Sequence, residues 1–261
     1  MIVNLLNRQP AKIEARVPKG ARVYAVGDIH GSLDLLDDLL ARIGQDLADR
    51  PPKTKASLIF LGDYIDRGPK SAGVMARLSE LKWKGVDCVC LKGNHEAIME
   101  QFLHDPISTW PKWLGAGGGE TLSSYGIAAP ERGAKSEVIE AASRKLAKAM
   151  PKRVSSWFKT LQLSHTVGDY MFVHAGVRPD VSLKKQTEHD LLWIRAEFKA
   201  HKGDFGAMIV HGHTPELEPV LRPNRIGIDT MAYSTGVLTC LVLEKDQRAL
   251  LQTYRKGLKT L

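Results

Sequence analysis

Five short blocks in this 261-residue chain carry residue types that can bind metal ions and move protons. They are Gly27-Asp-Ile-His-Gly31, Gly62-Asp-Tyr-Ile-Asp-Arg-Gly68, Gly93-Asn-His-Glu96, His174-Ala-Gly176 and His211-Gly-His-Thr214. Asp, His and Asn, with no ligating cysteine among them, make an oxygen and nitrogen donor set suited to manganese, iron or zinc. Two ions roughly 3.5–4 Å apart need a shared carboxylate, and so placed they can clamp both ends of an in-line displacement and acidify a bridging water. Singly, each block says little. An isolated Asp-x-His is commonly a capped turn, and a histidine closing an apolar run, such as His174, is commonly a core residue with its hydrogen bonds satisfied. Five blocks in order, each after an apolar run, point to one site. The flanking glycines allow tight turns and let the backbone approach an ion or phosphate closely.

The set resembles the signature of the PPP family of Ser/Thr protein phosphatases, within the calcineurin-like metallophosphoesterases, from Val23 to about Leu243. Gly117-Gly-Gly-Glu-Thr-Leu122 and Leu191-Leu-Trp-Ile-Arg195 resemble segments of the smaller bacterial and phage members. The resemblance implies an α/β fold, a four-layer αββα sandwich of two mixed sheets. It implies one metal site from Asp28, His30 and Asp63, and a second from Asp63 as bridge with Asn94, His174 and His213. The two divalent ions it implies are manganese first, with iron or zinc as alternatives. Arg67 and Arg195 would hold phosphate oxygens, a bidentate role that suits guanidinium. His95 would protonate the leaving oxygen, with Asp66 orienting it. Asp229 would orient a ligand, while His211 and Glu96 would be structural. His104, His165, His189 and His201 match no block.

The implied reaction is hydrolysis of phosphomonoesters, first of all phosphoserine and phosphothreonine in proteins. Symmetrical dinucleoside tetraphosphatases of the same superfamily are the alternative; they tend to lack an Asp at the position of Asp66 and often carry Asp in place of Glu96. A catalytically dead binding protein is a third reading, but no ligand is missing. One departure from the pattern is Met231-Ala-Tyr-Ser-Thr-Gly236, where relatives usually continue with Gly. That loop should lie at the mouth of the site. Tyr233 falls in roughly the region of the eukaryotic catalytic-loop tyrosine.

These side chains need a scaffold that gathers loops along one edge. Asp28, Asp63 and Asn94 stand 35 and 31 residues apart, each about one βαβ repeat. Residues 22–27, 58–61 and 86–91 read as strands, and the apolar spacing from Leu33 to Ile43 reads as a helix. Helices are expected over about 70–84 and from near Glu96, and such repeats imply parallel strands with right-handed crossovers. Residues 105–160 break the rhythm and read as a helical cap over the sheet edge, with a basic helix over 136–150. Strands return at 170–174, 207–211, 225–229 and 236–243, suggesting a second, mixed sheet. Arg195 falls on a predicted helix. The whole of 1–261 is expected to form a single domain.

The bulk properties fit such a scaffold. Hydrophobic residues make up 43% and charged residues 25%, an ordinary globular balance. The longest apolar runs have strand length, far short of a bilayer span. Met1–Arg8 has no signal-peptide pattern, so a cytoplasmic location is expected. Cys88 and Cys90 alternate on one strand face, poor geometry for a disulfide, and read with Cys240 as small buried apolar residues. The net charge of +8 is scattered, with local groups at Arg144–Arg153 and Lys184-Lys185 and a tail of Arg255, Lys256 and Lys259, and no nucleic-acid recognition motif accompanies it. It suits a surface that draws an anionic phosphoester, either small or on a protein.

Overall fold

The computed structural model describes residues 15–253, so Met1–Arg8 and the basic tail lie outside the described residues. The first half alternates strand and helix as its apolar spacing requires: β1 (Arg22–Val26), α1 (Leu33–Asp49), β2 (Ala56–Phe60), α2 (Ser71–Glu80), β3 (Val86–Cys90) and α3 (Asn94–His104). Residues 106–158 supply α4 (Pro106–Ala116), α5 (Gly118–Ser124), α6 (Ser136–Ala149) and α7 (Lys152–Phe158). The second half contains β4 (Ser164–Val167), β5 (Tyr170–Val173), α8 (Glu188–Trp193), α9 (Ala196–Ala200) and β6 (Met208–His211). It ends with β7 (Val220–Leu221), β8 (Arg225–Gly227), α10 (Ala232–Thr235), β9 (Thr239–Glu244) and β10 (Gln247–Gln252).

Two mixed five-stranded sheets result, ordered β10-β9-β1-β2-β3 and β4-β5-β6-β8-β7. The period-two alternation of the strands assigns each side chain to a layer. In β1, Tyr24 and Val26 face the outer helices, while Val23 and Ala25 face the other sheet. In β5, Tyr170 and Phe172 meet that inner layer, and Met171 and Val173 pack outward on Leu191, Ile194 and Phe198 of the α8–α9 region. Strands buried on both faces read as continuous apolar runs, which is why they were visible in the sequence. Helix, sheet, sheet, helix is the expected αββα sandwich.

The segment 106–158 belongs to the outer layer. Trp110, Trp113, Leu122, Ile139, Leu146 and Val154 share one core with Leu36 and Leu39 of α1 and with Phe60 of β2. Its first helix has clear ends. Asp105 accepts a hydrogen bond from the Ser108 N–H and is followed by Pro106, while Gly117 stops the helix in the left-handed region at φ +95°.

Three strands lay outside the expectation: β4, β7 and β10. Ser164-His-Thr-Val167 and Gln247-Arg-Ala-Leu-Leu-Gln252 are edge strands with largely solvated side chains, so they carry little apolar signal. The expected strand at 236–243 begins only at Thr239, because 232–235 form a helical turn closed by Gly236. Cys88 and Cys90 are half-buried rather than buried, since β3 is itself an edge; Cys240 is buried, and all three are free thiols. Among the described residues no helix is long and apolar enough to cross a membrane.

The apolar face of α1 consists of Leu35, Leu36, Leu39, Leu40 and Ile43, and Leu36 is fully buried. Leu36→Ala should therefore destabilise the fold by about 2–5 kcal/mol through lost burial and a residual cavity. The midpoint of urea unfolding measures this; a loss under ~1 kcal/mol would mean that α1 is not part of the core.

Candidate active site

Six strands deliver the site, three from each sheet. β1, β2 and β3 run parallel in the first, and β5, β6 and β8 in the second. Asp28 and His30 follow β1, Asp63, Asp66 and Arg67 follow β2, and Asn94 and His95 open α3 after β3. His174, His213 and Asp229 follow β5, β6 and β8. All the loops thus leave carboxyl ends of strands, where ligand sites of open α/β sheets form. Close approach between loops demands glycine at Gly212, where a Cβ would sit 1.9 Å from Asp28 Oδ1. There the glycine serves loop-to-loop packing.

The backbone is held in an unfavourable region to aim these groups. His30, Asp63, Asp66, Arg67, His213 and Met231 have φ between +44° and +71°. Each such non-glycine residue costs of order 1 kcal/mol, and they cluster here because the surrounding packing over-determines the loops. Glu96 is part of that packing. Its fully buried carboxylate accepts from the backbone N–H groups of Asp63 (2.8 Å), Tyr64 (2.8 Å) and Gly93 (2.9 Å), tying the β2 loop to the start of α3.

Asp63 stands between two groups of donors. Its Oδ2 lies 3.6 Å from His30 Nε2, and its Oδ1 lies 3.4 Å from His174 Nε2. Asn94 Oδ1 is 2.9 Å from His174 Nε2 and 2.7 Å from His213 Nδ1. Asp28 accepts from the His213 N–H at 3.0 Å. His30 Nδ1 donates to the Ile65 carbonyl (2.7 Å) and His174 Nδ1 to the Leu61 carbonyl (2.9 Å). A carbonyl only accepts, so each ring carries its proton on Nδ1 and turns an Nε2 lone pair toward Asp63. Lone pairs facing carboxylate oxygens at this distance repel unless a cation lies between them. Fixing the outer nitrogen on a carbonyl is also how metal-binding imidazoles are oriented.

Charge leads to the same requirement. Burial, then the neighbouring Asp229 and Asp63, push the Asp28 pKa well above the usual carboxylate range. Burial likewise pushes Asp229 up to about 6. Burial holds His30 down to about 3 and His213 down to about 2, so both imidazoles are neutral at ordinary pH. Crowded carboxylates beside neutral imidazoles fit divalent cations on an oxygen and nitrogen donor set.

The second half of the site is a buried imidazole–carboxylate pair. His95 Nδ1 and Asp66 Oδ2 are 2.6 Å apart, both groups buried. Burial opposes a charge on His95, but the Asp63 and Asp66 carboxylates outweigh it and lift its pKa above the ordinary imidazole value. His95 Nε2 turns inward, 3.7 Å from Asp63 Oδ2 and 3.5 Å from Arg67 Nη2. A cavity of about 260 Å³ opens over these groups, lined also by Trp193, Arg195 and Asp229.

All ten residues singled out from the sequence therefore come together, with one difference in detail. Arg195 is not on a helix. It sits at the break between α8 and α9 (φ −137°, ψ −72°), and its Nε and Nη2 donate to His213 Nε2 and the His213 carbonyl, both at 3.0 Å. Tyr233 does reach the mouth, where its hydroxyl accepts from Arg67 Nη1 at 3.1 Å. His211 turns away against Phe198, and Asp229 accepts from the Met231 N–H at 3.0 Å. His104, His165, His189 and His201 belong to neither donor group. Trp113, Thr121 and Trp193 were not read as site residues. No local spacing identifies them, because the first two reach Asp66 from 47 and 55 residues away.

The family model for calcineurin-like phosphoesterases matches residues 21–234. The asymmetrical bis(5'-nucleosyl)-tetraphosphatase PrpE of Bacillus velezensis is 27% identical over 238 residues, which cover 82% of this chain and 86% of that one. The Bacillus mycoides protein of the same name is 28% identical over 237 residues, covering 83% and 88%. Among solved structures, one assigned as a diadenosine tetraphosphatase superposes with a TM-score of 0.62 at 19% identity, covering 92% of this chain and 99% of that one. A cold-active protein tyrosine phosphatase superposes at 0.59 with 17% identity, covering 90% and 81%. These two likenesses concern the fold alone. The family match spans every block that supplies the site, and the chain belongs to the calcineurin-like phosphoesterase family.

Proposed function

We propose that this metallophosphoesterase cleaves a phosphoanhydride of a dinucleoside polyphosphate, with diadenosine tetraphosphate as the reference substrate. The observation that carries the reading is the likeness to asymmetrical tetraphosphatases over more than four-fifths of both chains. The cavity is compatible with it. Arg67 and Arg195 present cationic groups to phosphate oxygens, and the half-buried Trp193 indole offers a flat apolar wall of the kind on which a base stacks. Lys112 Nζ lies 4.2 Å from the centre of that ring and adds positive charge for a longer phosphate chain.

Asp28, His30, Asp63, Asn94, His174 and His213 would hold the divalent ions, which when bound supply Lewis acidity at phosphorus and acidify the attacking water. The protein's own groups do the rest. Arg67 neutralises the phosphoryl oxygens from beside His95, and Tyr233 keeps its guanidinium from swinging out. His95 carries the proton at Nε2 that the departing oxygen needs, and Asp66 fixes its ring.

Phosphoserine and phosphothreonine remain a second reading, favoured by the intact Asp66–His95 pair. Proton donation is worth most when the departing oxygen is a strong base, as a serine alkoxide is and a nucleotide phosphate is not. With purified protein and manganese, diadenosine tetraphosphate should give ATP and AMP faster than a phosphoserine peptide releases phosphate. Two ADP as the product would move the reading to a symmetrical tetraphosphatase. A strong preference for the peptide would overturn it in favour of a protein phosphatase.

His95→Asn should lower kcat by roughly 10²–10⁴-fold on substrates with basic leaving groups, the usual worth of general acid catalysis. Nitrophenyl phosphate should suffer much less. An equal loss on both would remove the proton-donor role from His95. Chelation followed by dialysis should abolish turnover and lower Tm, because the buried carboxylates lose their counter-charge. An unchanged Tm would mean that no ion was held there.

A further inference from the structure

We infer that Trp113 and Thr121 are positioning residues for proton transfer, fixing the Asp66 carboxylate and through it the ring of His95. The inference rests on the reading of His95 as proton donor given above, and it gives the 106–158 segment a part in the chemistry.

Asp66 is fully buried, and a buried carboxylate is tolerated only where donors surround it. Thr121 Oγ1 donates to Asp66 Oδ1 at 2.6 Å. Trp113 Nε1 spans both oxygens, 3.1 Å from Oδ1 and 3.0 Å from Oδ2. That leaves Oδ2 aimed at His95 Nδ1 at 2.6 Å. Thr121 Oγ1 also accepts from the Asp66 backbone N–H at 2.9 Å, so one hydroxyl grips both ends of a residue held at φ +71°. Trp113 and Thr121 are themselves fully buried, and a Cβ on Gly118 would fall 2.4 Å from the Trp113 ring. Neither donor has room to move, so the carboxylate plane has one orientation. The direction of the His95 ring follows from it.

Trp110 supplies the contrast. It lies one turn earlier on α4, is equally buried in the same core, and its Nε1 has no hydrogen-bond partner among the described residues. Two tryptophans thus share helix, burial and packing, and only one spans the Asp66 carboxylate. Packing alone would not require the second indole N–H to lie across those two oxygens.

The test uses full-length Trp113→Phe, Thr121→Val, Thr121→Ser, Trp110→Phe and His95→Asn, each assayed with manganese on a series from phenyl to 2,4-dinitrophenyl phosphate. Positioning predicts that Trp113→Phe and Thr121→Val lose kcat by about 10-fold on phenyl phosphate and little on the dinitrophenyl ester, with KM nearly constant. The dependence of kcat on leaving-group basicity steepens in the same direction as in His95→Asn. Thr121→Ser, which keeps the hydroxyl, restores the parent slope, and Trp110→Phe leaves it unchanged. A loss uniform across the series, or equal in Trp110→Phe and Trp113→Phe, would make the cage merely structural and overturn the inference. If Trp113→Phe does not fold, the Thr121 pair decides alone by the same criterion. If His95→Asn itself shows no leaving-group dependence, the proton-donor reading fails and the inference falls with it. If only the cage variants lack that dependence, the inference alone fails.

Discussion

Three carboxylates and four imidazoles, from Asp28, Asp63, Asp229, His30, His95, His174 and His213, are packed together with little of their surface exposed. Such a group of charges and lone pairs is tolerable only if cations are shared among them. The rest of the architecture follows from that constraint. Six loops from six strand ends converge, a glycine stands where one loop must touch another, and several non-glycine residues take left-handed backbone angles. The αββα sandwich makes this affordable, since its layers of apolar side chains fix the strand ends against the local strain.

The donor groups around Asp63 and the donors that hold the Asp66 carboxylate are drawn largely from different parts of the chain. The donors around Asp63 come from strand ends of both sheets. Apart from His95, the donors to the Asp66 carboxylate come from α4 and α5, which pack on the outer face of the first sheet. Arg67 joins the two halves: it follows Asp66 in the chain, its guanidinium reaches His95 and Tyr233, and its backbone N–H donates to the Gly117 carbonyl. A change in the helical segment can therefore alter how Asp66 and His95 are held without touching His30, Asp63, Asn94, His174 or His213.

Much of this was legible in the sequence, for physical reasons. Strands buried on both faces write continuous apolar runs, and residues able to ligate stand at their ends, so Asp28, His30, Asp63, Asn94 and His174 were visible from position and type. The choice of His213 over His211 came from resemblance, and the geometry sets His213 beside Asn94 while His211 turns toward Phe198. Edge strands such as β4 and β10 were illegible because their solvated side chains carry no apolar pattern. Arg195 was misplaced because Leu191-Leu-Trp-Ile-Arg-Ala-Glu-Phe198 spaces its apolar residues like one helix. The break comes from extended backbone at Ile194, ahead of the ties from Arg195 to His213. Trp113 and Thr121 were hidden because a tertiary hydrogen bond across some 50 residues leaves no local trace.

A bridging role for Asp63 requires two cations, one on either side of its carboxylate. Anomalous X-ray diffraction from crystals equilibrated with manganese, recorded above and below the metal edge, tests it most directly. Two anomalous peaks are expected roughly 3.5–4 Å apart on either side of the Asp63 carboxylate, one toward His30 and one toward Asn94, His174 and His213. A single peak away from Asp63, or none at saturating manganese, would contradict it.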